Sequence, residues 1–177
     1  MTGETRTTKD VAESVPAEVL HRAISDLGVT HVLTVPDTHQ KSLLASLFAD
    51  PTLNTLTLST EDEAICVNAG LWIGGAEPLV VIQNVGLFAA MNALRGVAMD
   101  MNVPTCLLTG QYARDGTLSV EENTATGVRL IEPVLQAMDV PYYRIESEAD
   151  VPVLRTAFER SRAERRPVVV LVGAPTA

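Results

Sequence analysis

Basic residues are scarce in this chain: 13 Lys and Arg stand against 22 Asp and Glu, a net charge of −9. A nucleic-acid partner would want a basic face, so the charge argues against that class. Long apolar runs are lacking too. Charged residues, Pro or Gly interrupt every one, and no segment is expected to span a bilayer. The opening MTGETRTTKDVAES has no apolar centre of the kind a signal peptide needs. Cysteine is limited to Cys66 and Cys106, both in apolar runs, with no CxxC pair and no His-rich neighbourhood. Both are expected to be reduced core residues of a cytoplasmic protein rather than metal ligands or a disulfide. Neither GxxxxGKS/T nor GxGxxG occurs, which excludes the common phosphate-cradling loops.

What is present is a single globular domain's worth of apolar sequence. The chain has 177 residues, 46% of them hydrophobic and 20% charged, which suits one core. A loose, polar lead is expected over residues 1–12 and one domain over residues 13–177. Helical spacing from Val15 to Leu27 stops at Gly28; "HVLTV" then reads as a strand, followed by a helix around Lys41 to Ala49. "NTLTLS", "PLVVIQ", "PTCLLT", "YYRI" and "PVVVLV" read as further strands. Helices are expected from about Glu61, from Gly86 to about Met99, from Arg129 to Met138 and from Asp150 to Ala163, with a polar loop over Gly110 to Gly127. Continuous apolar strands alternating with helices predict a doubly wound α/β domain: a mainly parallel sheet of about six strands, buried on both faces. Ligands of such sheets bind outside the carboxyl ends of the strands.

Four loops lie there. "VPDTHQKS" packs Asp37, Thr38, His39 and Lys41 together, either as an ordinary turn and helix cap or as a group that handles a substrate anion or a proton. Glu61, Asp62 and Glu63 open an Ala- and Gly-rich helix. First-turn carboxylates favour the helix dipole on their own account. Glu61, however, continues the face of Ala64, Ile65 and Asn68, which turns it towards the apolar interior. "QNVGLFAAMN" offers Gln83, Asn84, Gly86 and Asn92, with a Gly that lets a ligand approach a helix start, or simply a tight turn with amide caps. The loop after "PTCLLT" is long enough to be a binding surface or a lid.

Together these segments resemble the pyrimidine-binding (PYR) domain of thiamine-diphosphate enzymes. The resemblance rests on Glu61, Ala64 and Gly70 in the pattern that opens the acidic helix, with Asn68 where Ala is frequent. Gly86 and Asn92 follow, and then Asp100, Pro104 and Gly110. It runs from "GVTHVLTVPD" to "RPVVVLVG". Within that family, "VPDTHQKSLL" and "QNVGLFAAMNAL" most resemble phosphonopyruvate decarboxylases and the alpha subunits of sulfopyruvate decarboxylases. His39 and Gln40 depart from an expected apolar pair, and Val85, Phe88 and Ala89 from small or polar residues. The resemblance implies that Glu61 hydrogen-bonds the ring nitrogen of the cofactor's aminopyrimidine and favours its proton-abstracting tautomer. It further implies that Gln83, Asn84, Gly86 and Asn92 contact the cofactor. Asp37, Thr38 and His39 would serve catalysis at the substrate end, and Lys41 and Gln111 would meet the substrate.

The G-D-G motif and downstream Asn that hold the diphosphate through Mg²⁺ in that family are absent; the nearest string is "RDG", Arg114 to Gly116. No metal ligand is therefore expected in this chain. The resemblance implies a split site, with thiamine diphosphate and Mg²⁺ completed by a separate diphosphate-binding (PP, beta) subunit in an α₂β₂ assembly. The substrate would be a small anionic 2-oxo acid. Two alternatives stand beside this decarboxylase: a carboligase or synthase built on the same cofactor, and a non-catalytic α/β binding module.

Overall fold

The computed structural model describes residues 12–177; the lead expected over residues 1–12 lies, Ala12 apart, outside the described residues. Six strands form one sheet: β1 (His31–Thr34), β2 (Asn54–Thr57), β3 (Pro78–Gln83), β4 (Thr105–Gly110), β5 (Tyr142–Ile145) and β6 (Pro167–Val172). Their order is β2-β1-β3-β4-β6-β5, and every neighbouring pair is parallel. The helices are α1 (Ala17–Ser25), α2 (Lys41–Ala49), α3 (Glu61–Ile73), α4 (Asn84–Ala89), α5 (Met91–Ala93), α6 (Thr126–Ala137) and α7 (Val153–Glu164).

The inner strands hold the middle because most of their side chains are apolar and buried. In β3, Leu79 and Val81 turn to one face and Val80 and Ile82 to the other, all fully buried. Each such side chain contributes about 1.5–3 kcal/mol on burial. One face packs on Leu20 and Ile24 of α1, Leu43 and Leu47 of α2, and Leu154 and Phe158 of α7. The other packs on Ile65 of α3, Leu87 of α4, Leu94, and Ile131 and Leu135 of α6. The result is the three-layer, doubly wound domain that the apolar runs predict.

Three details differ from the reading of the sequence. Cys66 is exposed, whereas Cys106 is buried. The run around Cys66 is helical, and its period turns Ala64, Ile65, Asn68 and Ala69 inward while residue 66 faces out. The helix expected over Gly86 to Met99 begins earlier, at Asn84, and is broken at Ala90. Its last part, Leu94–Met99, is π-helical, with Asp100 N donating to Arg95 O at 2.9 Å. Finally, β2 is an edge strand with mostly exposed residues, so only the inner strands are buried on both faces. Among the described residues no helix is long and apolar enough to cross a membrane.

The strand order sets the position of the site. From β1 the chain winds outward to β2; from β3 it winds the opposite way to β4. The connections part between β1 and β3, which leaves a crevice at their carboxyl ends.

Candidate active site

Glu61 opens α3 beside that crevice. Thr60 caps the helix, its Oγ1 accepting from Glu63 N at 3.4 Å, and Glu63 turns back so that Oε2 accepts from Ser59 N at 2.8 Å. This reciprocal capping is worth about 1 kcal/mol and employs Glu63 structurally. Asp62 is exposed, and the Thr60 hydroxyl holds its carboxyl below the usual range. Glu61 is different: its half-buried side chain crosses the crevice to the start of α4. A Cβ on Gly86 would lie 2.1 Å from Glu61 Oε1 and 2.4 Å from its Cγ. Only glycine leaves that room, so the two residues that the sequence pairs at a distance form one feature.

Beside it, Asn84 is fully buried at the first position of α4. Its Oδ1 accepts from Val85 N at 2.9 Å, while its Nδ2 has no partner. Gln83 is half-buried where β3 passes into α4, paired in register with Gly110. Asn92 lies farther along, exposed on α5, with Oδ1 accepting from Arg95 at 3.1 Å. The structure therefore gathers Glu61, Gly86, Asn84 and Gln83 at the strand ends and sets Asn92 on the outer surface.

The loop after β1 reaches across the sheet in the same direction. Asp37 is 5% exposed; its Oδ1 accepts from His39 N at 2.7 Å and its Oδ2 from Gln40 Nε2 at 2.8 Å. Gln40, with no exposed surface, also points Nε2 at Ile82 O (3.2 Å) and Leu108 O (3.4 Å), which ties the loop to β3 and β4. A Cβ on Gly110 would approach Asp37 Oδ2 to 2.9 Å and His39 Cδ2 to 3.0 Å. His39 Nε2 lies 3.0 Å from Val172 O at the end of β6. Since a carbonyl only accepts, this nitrogen carries the proton. Burial lowers the pKa of His39, against the nearby Asp37 carboxylate and the Val172 carbonyl, so the imidazole favours its neutral form. Thr38 and Lys41 are exposed at the mouth of this loop.

Sequence reading finds Asp37 and His39 but misses Gln40, the residue that anchors them. It also misses Arg114 and Glu146, whose side chains are each 4% exposed and paired at 3.0 Å. Residues so far apart in the chain carry no shared signal until the strands bring them together. Gln111 is fully buried and accepts through Oε1 from Arg114, and its backbone N donates to Val172 O at 2.9 Å. The loop that follows is ordered around buried Asn123, whose side chain accepts from Asp115 N and donates to Asp115 O and Ser119 O.

These groups suit an aminopyrimidine ring: a carboxyl set against bare backbone that can share a proton with a ring nitrogen, and a buried amide N–H without a partner. Among the described residues, no group of three or more His, Cys, Asp or Glu side chains is placed to hold a metal ion.

Comparison with known proteins points the same way. The chain is 30% identical to a phosphonopyruvate decarboxylase of Streptomyces viridochromogenes over 84% of its own length, but spans only 37% of that relative. It is 24% identical to the sulfopyruvate decarboxylase subunit alpha of Methanococcus maripaludis, covering 89% of this chain and 94% of that one. Its fold is similar to benzoylformate decarboxylase from Polynucleobacter necessarius, with a TM-score of 0.69 at 22% identity over 90% of this chain and 30% of that one. Residues 16–130 match the model of the thiamine pyrophosphate enzymes' N-terminal TPP binding domain, and the chain belongs to that family.

Proposed function

We propose that this chain is the PYR-domain (alpha) subunit of a split thiamine-diphosphate-dependent 2-oxo acid decarboxylase. The observation that carries the reading is the Glu61 carboxylate lodged against Gly86 at the strand crossover. When bound, thiamine diphosphate supplies the nucleophilic carbon that adds to a 2-oxo group and the electron sink for loss of carbon dioxide. Glu61 holds the proton shared with the aminopyrimidine nitrogen, and Asn84 and Gln83 orient the ring through their amides. Gly86 keeps the approach open. Asp37 and His39, fixed by Gln40, stand at the substrate end, where a neutral imidazole with its proton on Nε2 can exchange a proton near neutral pH. Thr38 and Lys41 face incoming substrate at the mouth.

A separate PP-domain subunit completes the diphosphate and Mg²⁺ site, in an α₂β₂ assembly. One fact supports this: a relative of nearly this length is named as an alpha subunit. The substrate is a small anionic 2-oxo acid resembling sulfopyruvate or phosphonopyruvate, since the named relatives are decarboxylases of these two acids.

The test mixes this chain with its PP-domain partner, thiamine diphosphate and Mg²⁺, and measures carbon dioxide release from both acids, beside Glu61→Gln. Release that needs both chains and drops at least about 100-fold in the variant supports the reading. Product formation only when an aldehyde acceptor is added would make the assembly a carboligase instead. Tight small-ligand binding by the lone chain, with no turnover in any mixture, would leave a binding module.

A further inference from the structure

Gln111, Arg114 and Glu146 come from the segments after β4 and β5 and meet at the carboxyl end of the sheet, beside the last residues of β6. Arg114 Nη1 forms an ion pair with Glu146 Oε1 at 3.0 Å and donates to Gln111 Oε1. That engages one edge of the guanidinium. The Nε–H points to the other edge and has no acceptor, and neither has the fully buried Gln111 Nε2. Glu146 Oε2 also lacks a partner; it is pressed against Gly173, where a Cβ would lie 2.0 Å from it. Buried polar groups left without partners cost about 1–3 kcal/mol each, so two orphaned donors on side chains that touch each other point to an acceptor that is not part of the chain.

There is room for one. Arg114 lines a cavity of about 910 Å³ between the Asp115–Thr117 turn and Gly173–Pro175. The cavity lies near the site already described: His39 Nε2 and Gln111 N both approach Val172 O, and the next residue, Gly173, lines the cavity. Two further acids, Glu13 and Asp115, stand among the lining residues. The Asp115 carboxylate is turned to Thr117, whose N and Oγ1 donate to it at 2.9 and 2.6 Å.

We propose that Arg114 and Gln111 are the receptor for the distal oxyanion of the substrate, a sulfonate, phosphonate or carboxylate. The unpartnered Nε–H of a guanidinium is a charge-assisted donor suited to an oxygen of such a group, and Gln111 Nε2 adds a second donor. Glu146 is the counter-charge that holds the arginine in place until substrate arrives, and the neighbouring acids keep affinity for free anions in the millimolar range. Lys41, exposed at the start of α2, guides the anion at most. The proposal rests on the decarboxylase reading for the identity of its ligand, but its test does not need turnover.

The first readout uses the full chain alone, ¹⁵N-labelled, titrated with methanesulfonate while the arginine Nε–H signals are followed, with sodium chloride as the ionic-strength control. One signal is expected to move saturably. Arg114→Lys should abolish the response, whereas Glu146→Gln should tighten binding about tenfold by removing the competing charge. A merely structural ion pair predicts no such opposition. A linear drift, the same shift with chloride, or weaker binding in Glu146→Gln would overturn the proposal. In the assembled enzyme, Arg114→Lys should raise KM for a sulfonate-bearing 2-oxo acid at least tenfold, and an unchanged KM would assign the methanesulfonate site to free anions rather than substrate. Saturable binding with no turnover in any assembly would retain the receptor and remove the decarboxylase reading; turnover without binding would do the reverse.

Discussion

Glu61 and Gly86 exclude any side chain between them: the carboxylate oxygen of the first lies 2.1 Å from where a β-carbon of the second would be. Real β-carbons do not come so close, and the contact is with the reactive end of the side chain. Gly86→Ala is therefore expected to swing Glu61 aside rather than unfold the domain. Overpacking of this kind costs about 1–3 kcal/mol. The assembled enzyme should lose most of its activity while the melting curve of the chain stays cooperative. Full activity with an alanine at this position would mean that Glu61 works from another rotamer.

Gln40 is the second point of leverage. Replacing it by Leu leaves Asp37 Oδ2 without its Gln40 donor and takes the loop's tie from Ile82 O and Leu108 O. Denaturant unfolding should show a loss of about 1–3 kcal/mol. Backbone amide exchange should also rise at residues 37–40. Stability within about 0.5 kcal/mol of the parent would show that water replaces the amide without penalty.

The pH dependence of stability has two opposed contributions at this end of the sheet. Burial holds His39 below its ordinary 6.5, so on acidification the unfolded chain takes up that proton first. This contribution is intact above about pH 6.5 and is lost as pH falls towards the folded value. Glu146 is shifted the other way: burial raises it above its ordinary 4.5, against the charges of Arg114 and Arg144. Its contribution is full below about pH 4.5 and is lost as pH rises through the folded value. In His39→Gln the drop in unfolding free energy between pH 7.5 and 5.5 should shrink. An equal drop in parent and variant would locate the proton uptake elsewhere.

The two thiols should report the fold directly. Cys66 is exposed, whereas burial pushes the Cys106 thiol up to about 12, far from the thiolate that reacts. An aromatic disulfide reagent at pH 8 is expected to modify one thiol per native chain within minutes and the second only after denaturant is added. Two rapid equivalents in the native chain would contradict the burial of β4.

How much of this was legible before folding depended on whether the signal was local. The runs "PLVVIQ", "YYRI" and "PVVVLV" coincide with β3, β5 and β6, because uninterrupted β-branched and aromatic residues between helices have few other uses. Glu61 and Gly86 each stood in a motif whose spacing the family resemblance supplied, but their contact across the crevice was not legible, because it is made by the fold. Cys66 was misread because an apolar run hides which side of a helix faces solvent when small residues such as Ala69 and Gly70 dilute the period. The π-helical stretch at Leu94–Met99 was not legible at all, since a shift from i+4 to i+5 bonding leaves composition unchanged. Arg114 and Glu146 stayed hidden for a third reason: their pairing is made by the strand order, and a lone Arg in a polar loop reads as solvated.

The placement of β6 has a consequence for biosynthesis. It is the last strand in the sequence, yet it sits between β4 and β5 and pairs with β4 at six positions. As the chain leaves the ribosome, β2, β1, β3 and β4 can assemble in order, but β4 keeps an open edge and β5 has no neighbour. The sheet closes only when residues 167–172 emerge and insert. Until then the nascent chain presents a hydrophobic, unpaired margin of the kind that chaperones shield and that other chains can template upon. Any delay in making residues 167–172 is spent in that state.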